Sequence, residues 1–228
     1  MNQTLLKPYT PEELAEKYED FIGLIDEHFD GERNRRLKAL YHEEELGQEL
    51  ILAPAAGKLF YHNCYVGGYV DHVTNVINNS LKSAQFFEFA GGTIDFTTEE
   101  VVFAAMHHDL GKLGDETGPY YIPQEEAWFQ EKRHEYFVHN PEIQWMSPPD
   151  RAIFTLGQFE IKMTWKEMLA IKLSDGLYDD CNAFYLKTYS PDKELSTNLP
   201  YVIHMGDFIS ARAERDIFMR KHGDMFKK

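Results

Sequence analysis

Three Thr-x-x-Glu boxes, each directly ahead of an apolar stripe at helical spacing, constrain this chain more than any other feature. They are Thr10–Glu13, Thr97–Glu100 and Thr164–Glu167. In such a box the threonine hydroxyl and the glutamate carboxylate each accept from a backbone N–H of the other, which fixes the first turn of a helix. Pro11 adds a residue preset for the first helical position. From there the stripe runs Ala15, Tyr18, Phe21, Ile22 and Ile25, until Asp30-Gly31 stops it. A charged helix from Glu32 to about Gln48 is predicted next, its alternating charges a solvated face, and Pro54 to Gly57 break the chain. A third helix is predicted from about Gly68 to Ala90, ended by Gly91-Gly92. The second box opens a helix through Val101, Ala104, Ala105 and His108 that stops at Gly111. Asp150 to Gln158 reads as helical, and the third box leads Met168, Leu169, Ile171 and Leu173 to Gly176. A last long helix runs from roughly Leu199 to His222. The segment 115–149 is rich in Tyr, Trp, Pro and charge and has no clean period. Loops around one short helix are expected there, forming a wall or lid over a site. No stretch alternates convincingly as a strand. The expectation is an all-α single domain over 1–228 with an irregular insert at about 115–149.

A chain of 228 residues with 43% apolar and 14% aromatic residues can bury a substantial core and is not a disordered composition. With 23 Lys+Arg against 38 Asp+Glu, the formal charge of −15 argues against a long nucleic-acid partner. A small phosphorylated ligand, held locally by a cation, stays compatible with that balance. No run approaches the ~18 apolar residues of a membrane span, and residues 1–14 lack a basic-then-apolar signal pattern. The expectation is a cytoplasmic protein with no membrane partner. Cys64 and Cys181 form neither a disulfide framework nor a metal knuckle and read as reduced, buried thiols.

Chemistry concentrates in His107-His108-Asp109-Leu110-Gly111-Lys112. His108 shares the inward stripe of Val101, Ala104 and Ala105, so an imidazole and a carboxylate enter the interior together at a helix end. A bare His-Asp pair of this kind is commonly a hydrogen-bonded helix cap. Burying a carboxylate is unfavourable unless it is paired, hydrogen-bonded or bound to a cation. Two further polar positions face inward from other helices. His72 lies one turn after Gly67-Gly68, glycines that allow close backbone approach. Asp207 groups with Ile203, Ser210 and Ala211. Imidazole nitrogens mixed with carboxylate oxygens suit Mn, Fe, Co, Ni or Zn, or Mg with fewer nitrogens.

This pattern resembles the HD superfamily of metal-dependent phosphohydrolases, whose signature is H…HD…D on an all-α core. The likeness covers about 61–215 and implies an HD-domain-like helical bundle. By that resemblance His72, His108, Asp109 and Asp207 are ligands of one divalent metal ion. Asp175, followed by Gly176 at a helix end, is the rival of Asp207 for the last position or else shapes the substrate pocket. The nearest flavours are nucleotide-cleaving members, which implies a small phosphorylated substrate, a dNMP or dNTP first. Lys112 is the best-placed cation for phosphate. Arg133 could grip phosphate, and His134 could act as general acid or as an extra ligand of a second metal. His139, five residues further, falls on another side of a helix, so one metal is favoured. Tyr178 and Tyr185 are candidate base- or sugar-stacking groups, and Asp115 and Glu116 could orient water. His62 and His204 are expected to line or orient the site, and His107 to be a helix-face neighbour. Family members often form homo-oligomers. A di-iron HD oxygenase and a non-catalytic nucleotide-sensing module stay open as alternatives, as does an ordinary helical scaffold.

Overall fold

The computed structural model describes residues 3–188 and 190–226; positions 1–2, 189 and 227–228 of the expected domain lie outside the described residues. In chain order the helices are α1 (Gln3–Leu6), α2 (Pro11–His28), α3 (Gly31–Leu40), α4 (Gln48–Leu52), α5 (Gly68–Phe89), α6 (Thr98–His107), α7 (Ala127–Arg133), α8 (Pro148–Gln158), α9 (Trp165–Lys172), α10 (Ala183–Leu186) and α11 (Leu199–His222). The fold is predominantly α. All three capping boxes close: each threonine N–H donates to the glutamate carboxylate at 2.7–3.0 Å, and each glutamate N–H returns to the threonine hydroxyl at 3.1–3.2 Å. Each such cap is worth about 1 kcal/mol.

The charged helix predicted to reach Gln48 is instead broken after Leu40. Tyr41 is fully buried, edge-on to Phe21 and stacked on His107, and His42 then turns extended. A wide helical turn (Glu43–Gly47) carries the chain into α4. This helix is not simply a solvated face either. Arg33 lies 3.9 Å over the Phe103 ring and bonds Glu99 and the fully buried Glu167, tying α3 to α6 and α9.

The insert holds the expected short helix, α7, but also a strand pair the sequence did not announce. β1 (Tyr121–Pro123) runs antiparallel to β2 (Phe137–His139), with Tyr121 opposite His139. Strands of three residues are too short to display alternation. The insert leans on the loop before α5, where Leu59 N–H donates to the His134 carbonyl and Tyr136 N–H to that of Gly57. Leu59, Cys64 and Tyr136 form a small apolar cluster there, with Phe218 and Phe226 against it. Cys64 is buried as expected, whereas Cys181 is exposed because the short turns 176–182 lie on the surface.

The main core lies between α5, α6, α9 and α11 and includes Val73, Ile77, Phe103, Met106, Ile171 and Ile203. The α5–α11 packing positions the site. A Cβ on Gly206 would sit 2.1 Å from Ser80 Oγ, so the two helices can approach this closely only with glycine in α11. At the start of α5, a Cβ on Gly68 would lie 2.0 Å from the Asn63 carbonyl oxygen. Among the described residues, no helix is long and apolar enough to cross a membrane.

Candidate metal centre

His72 comes from the second turn of α5, His108 and Asp109 from the C-terminal end of α6, and Asp207 from the middle of α11. The structure brings all four together. Asp109 Oδ2 lies 3.7 Å from His72 Nε2 and 3.5 Å from His108 Nε2. Asp207 Oδ1 lies 3.2 and 3.8 Å from the same two nitrogens. The imidazoles are 1–2% exposed against 10% for Asp109 and 19% for Asp207, so the cluster opens toward solvent on its carboxylate side.

The tautomers follow from the partners. A carbonyl can only accept, so His108 Nδ1–H donates to Ala105 O at 2.8 Å. A carboxylate likewise accepts from His72 Nδ1–H, here Glu214 Oε2 at 2.9 Å. Both rings therefore turn Nε2 toward the carboxylates, and neither Nε2 has an aligned hydrogen-bond partner although both are buried. A buried imidazole nitrogen left without a partner is costly. His72, His108 and Asp109 form a buried group that could hold a metal ion.

Electrostatics keep the carboxylates ionised. Burial alone would raise Asp109, but Lys112, His108 and His72 hold its carboxyl below the ordinary carboxylate value. Asp207, also buried, is lowered by the hydrogen-bonding reach of His72 and the charges of His108 and His72. Burial would lower His72, yet Glu214 and Asp207 outweigh it and raise its pKa to about 10, so without a cation the ring keeps a second proton on Nε2 toward Asp207, in the place a metal ion would take. Asp109, Asp207 and Glu214 thus crowd negative charge around His72, and positive charge from the imidazoles and Lys112 keeps Asp109 and Asp207 ionised.

Lys112 donates to Asp109 Oδ2 at 2.6 Å and to Ala55 O at 3.1 Å. His62 lies beside His72 with ring centres 4.6 Å apart, and its buried Nε2 is also unpartnered. His107 points the other way, packed on Phe103 and Tyr41, with its pKa pushed down to about 3, chiefly by burial. Asp175 is raised by burial and then by the charge of Asp109, yet it makes no ion pair with either imidazole, whereas Asp207 lies within 3.2 Å of one. His204 Nδ1 donates to Ser174 O at 2.7 Å. Tyr178 and His204 line a cavity of about 400 Å³ with Leu173, Gly176, Leu177 and Tyr201.

Tyr120 and Tyr121 of the insert come close enough to feel the charges of Lys112 and Asp109, but the candidates Arg133, His134 and His139 find their partners elsewhere. α7 ends at His134 in a left-handed conformation, φ 49°, and its ring meets Phe226 at 4.7 Å. Arg133 lies over Trp128 and Phe129. His139 sits edge-on to Tyr120, and Tyr185 packs on Phe184. Asp115 is spent on an ion pair with buried Arg151 and a turn with Thr117, and Glu116 lies exposed in that turn. Glu214 was missed by sequence reasoning. Its signal was present, because it follows Asp207 by seven residues on one helical face. No family model matches this sequence, and comparisons with curated proteins and with solved structures return no match either.

Proposed function

We propose that this protein is a metal-dependent phosphohydrolase of the HD type that cleaves a phosphoester or phosphoanhydride of a small nucleotide. The observation that carries the reading is the pair of buried, unpartnered Nε2 atoms of His72 and His108, facing the carboxylates of Asp109 and Asp207. His107 buries an equally unpartnered Nε2 but turns it toward aromatic rings, so it is the facing carboxylates that set His72 and His108 apart. His72, His108, Asp109 and Asp207 would hold one divalent cation. That ion would supply Lewis-acid polarisation of a phosphoryl oxygen and lower the pKa of a water molecule.

The chain's own residues do the rest. Ala105 and Glu214 fix both tautomers, so no ring must rotate before the ion is held. Lys112 reaches Asp109 at 2.6 Å and brings a cation to where negative charge grows on a phosphoryl group. The cavity lined by Tyr178, Tyr201 and His204 offers an apolar, aromatic surface for the non-phosphate part of the substrate. Asp175 directly precedes Gly176, which lines that cavity. A chain of net charge −15 suits a small substrate better than a polyanionic polymer.

The test is hydrolysis of dNMPs, NTPs, dNTPs and cyclic nucleotides with Mn, Co or Mg, comparing wild type with Asp109→Ala. Metal-dependent release of phosphate, pyrophosphate or triphosphate, lost in the variant, is the expected result. Silence from a metal-loaded wild type would favour a nucleotide-sensing module.

A further inference from the structure

Glu214 and His62 lie beside His72 but outside the four proposed ligands. Ligand atoms of His62, His72 and Glu214 all lie within 4.8 Å of one another, so this trio offers either a second cation position or a support for the first. The hydrogen bonds decide between them. Glu214 Oε2 accepts from His72 Nδ1 at 2.9 Å, and Oε1 accepts from Asn75 Nδ2 at 2.8 Å. Asn75 stands three residues after His72 on α5, so α5 supplies both donors to one carboxylate. A second cation here would have to take the Nδ1 proton of an imidazole whose Nε2 already faces the first position. It would also have to break both carboxylate bonds.

α11 addresses both faces of the same ring. Asp207 lies 3.2 Å from Nε2, and Glu214, two turns later on the same helix, holds Nδ1. Between them Ser210 Oγ accepts from Asn79 of α5 at 2.9 Å and donates to Gly206 O at 2.7 Å. The register of α5 against α11 is therefore pinned between the two acidic residues.

We infer that Glu214 is a positioning residue, which holds the Nδ1 proton of His72 so that Nε2 is presented to a single cation, and that the His62–His72–Glu214 trio takes no ion of its own. The inference rests on the metal reading above. Such partners of a ligating histidine fix its tautomer and orientation, and their loss typically costs about 10–100-fold in metal affinity.

The test is a titration of the whole apo-protein with Zn or Mn in the absence of substrate, for wild type, Glu214→Gln and Glu214→Ala. The expected wild-type stoichiometry is one ion per chain. Glu214→Gln, whose amide oxygen still accepts from Nδ1–H, should stay within a few-fold of wild type, whereas Glu214→Ala should weaken binding roughly 10–100-fold with one ion still bound. Nitrogen-15 NMR of the zinc-loaded wild type should show His72 protonated at Nδ1, a readout that needs no variant to fold. Two ions in wild type with one lost in Glu214→Ala would overturn the inference, as would a bare Nδ1 or an unchanged affinity in a folded Glu214→Ala. A wild type that binds no ion would overturn the metal reading itself.

Discussion

At the residue scale, two neighbouring histidines have opposite fates. Both donate Nδ1–H to a helix carbonyl and both bury an unpartnered Nε2. His108 faces two carboxylates, whereas His107 faces the rings of Phe103 and Tyr41. His108→Ala is therefore expected to lower metal affinity well beyond the roughly 10–100-fold of an outer partner. His107→Phe should leave it unchanged; calorimetric titration of both variants checks the contrast. Much of this was legible from spacing, because helical periodicity aims His108 and Asp207 inward. It could not reveal which way His134 turns. That depends on α7 stopping one residue earlier and on Phe226 arriving from the far end of the chain. Glu214 was readable in principle as a second inward acid on α11, but its partner His72 lies 142 residues away in sequence.

At the element scale, the α5–α11 contact determines whether the ligands meet. Gly206→Ala places a Cβ against Ser80 Oγ, N and Cα, all within 2.9 Å, and the last two are backbone atoms that cannot rotate away. Overpacking of this kind costs about 1–3 kcal/mol. A lower melting temperature is expected together with weaker metal binding, and Ser80→Ala should relieve only part of it. A second test lies where α3 meets α9, at the pair of Arg33 with fully buried Glu167. Removing one partner of a buried pair costs about 3–5 kcal/mol, and Arg33→Met should cost less than that because Arg33 is partly exposed and the Glu167 carboxylate still accepts from the Thr164 N–H. Burial raises the Glu167 pKa above 4.5 despite Arg33. The folded state therefore holds this proton more tightly than the unfolded chain. Its contribution is fully present below pH 4.5 and declines as pH rises through the raised folded value. Denaturant melts of wild type against Glu167→Gln across that window should show the wild type losing ground as pH increases. The helix starts were legible because capping boxes are local chemistry, satisfied within four residues. The break at Tyr41 was not, since only tertiary burial of that ring ends α3.

At the scale of the whole molecule, α5, α6 and α11 each contribute to the cluster, so a bound ion would tie together three helices far apart in sequence. A ligand that binds only the folded state stabilises it by about 2.7 kcal/mol at a hundredfold excess over Kd. For a chain of 228 residues that corresponds to a rise in melting temperature of roughly 5–10 °C. Scanning calorimetry with and without Mn should show it, and Asp109→Ala should abolish it. The central claim is that His72, His108, Asp109 and Asp207 together hold one divalent cation. Its most direct test is a crystal structure of Zn- or Mn-loaded protein with anomalous scattering recorded at the metal edge. The account predicts a single peak with both Nε2 atoms and an oxygen of each aspartate about 2.0–2.2 Å away. A peak between His62 and Glu214, or no peak within reach of His72 and His108, would contradict it.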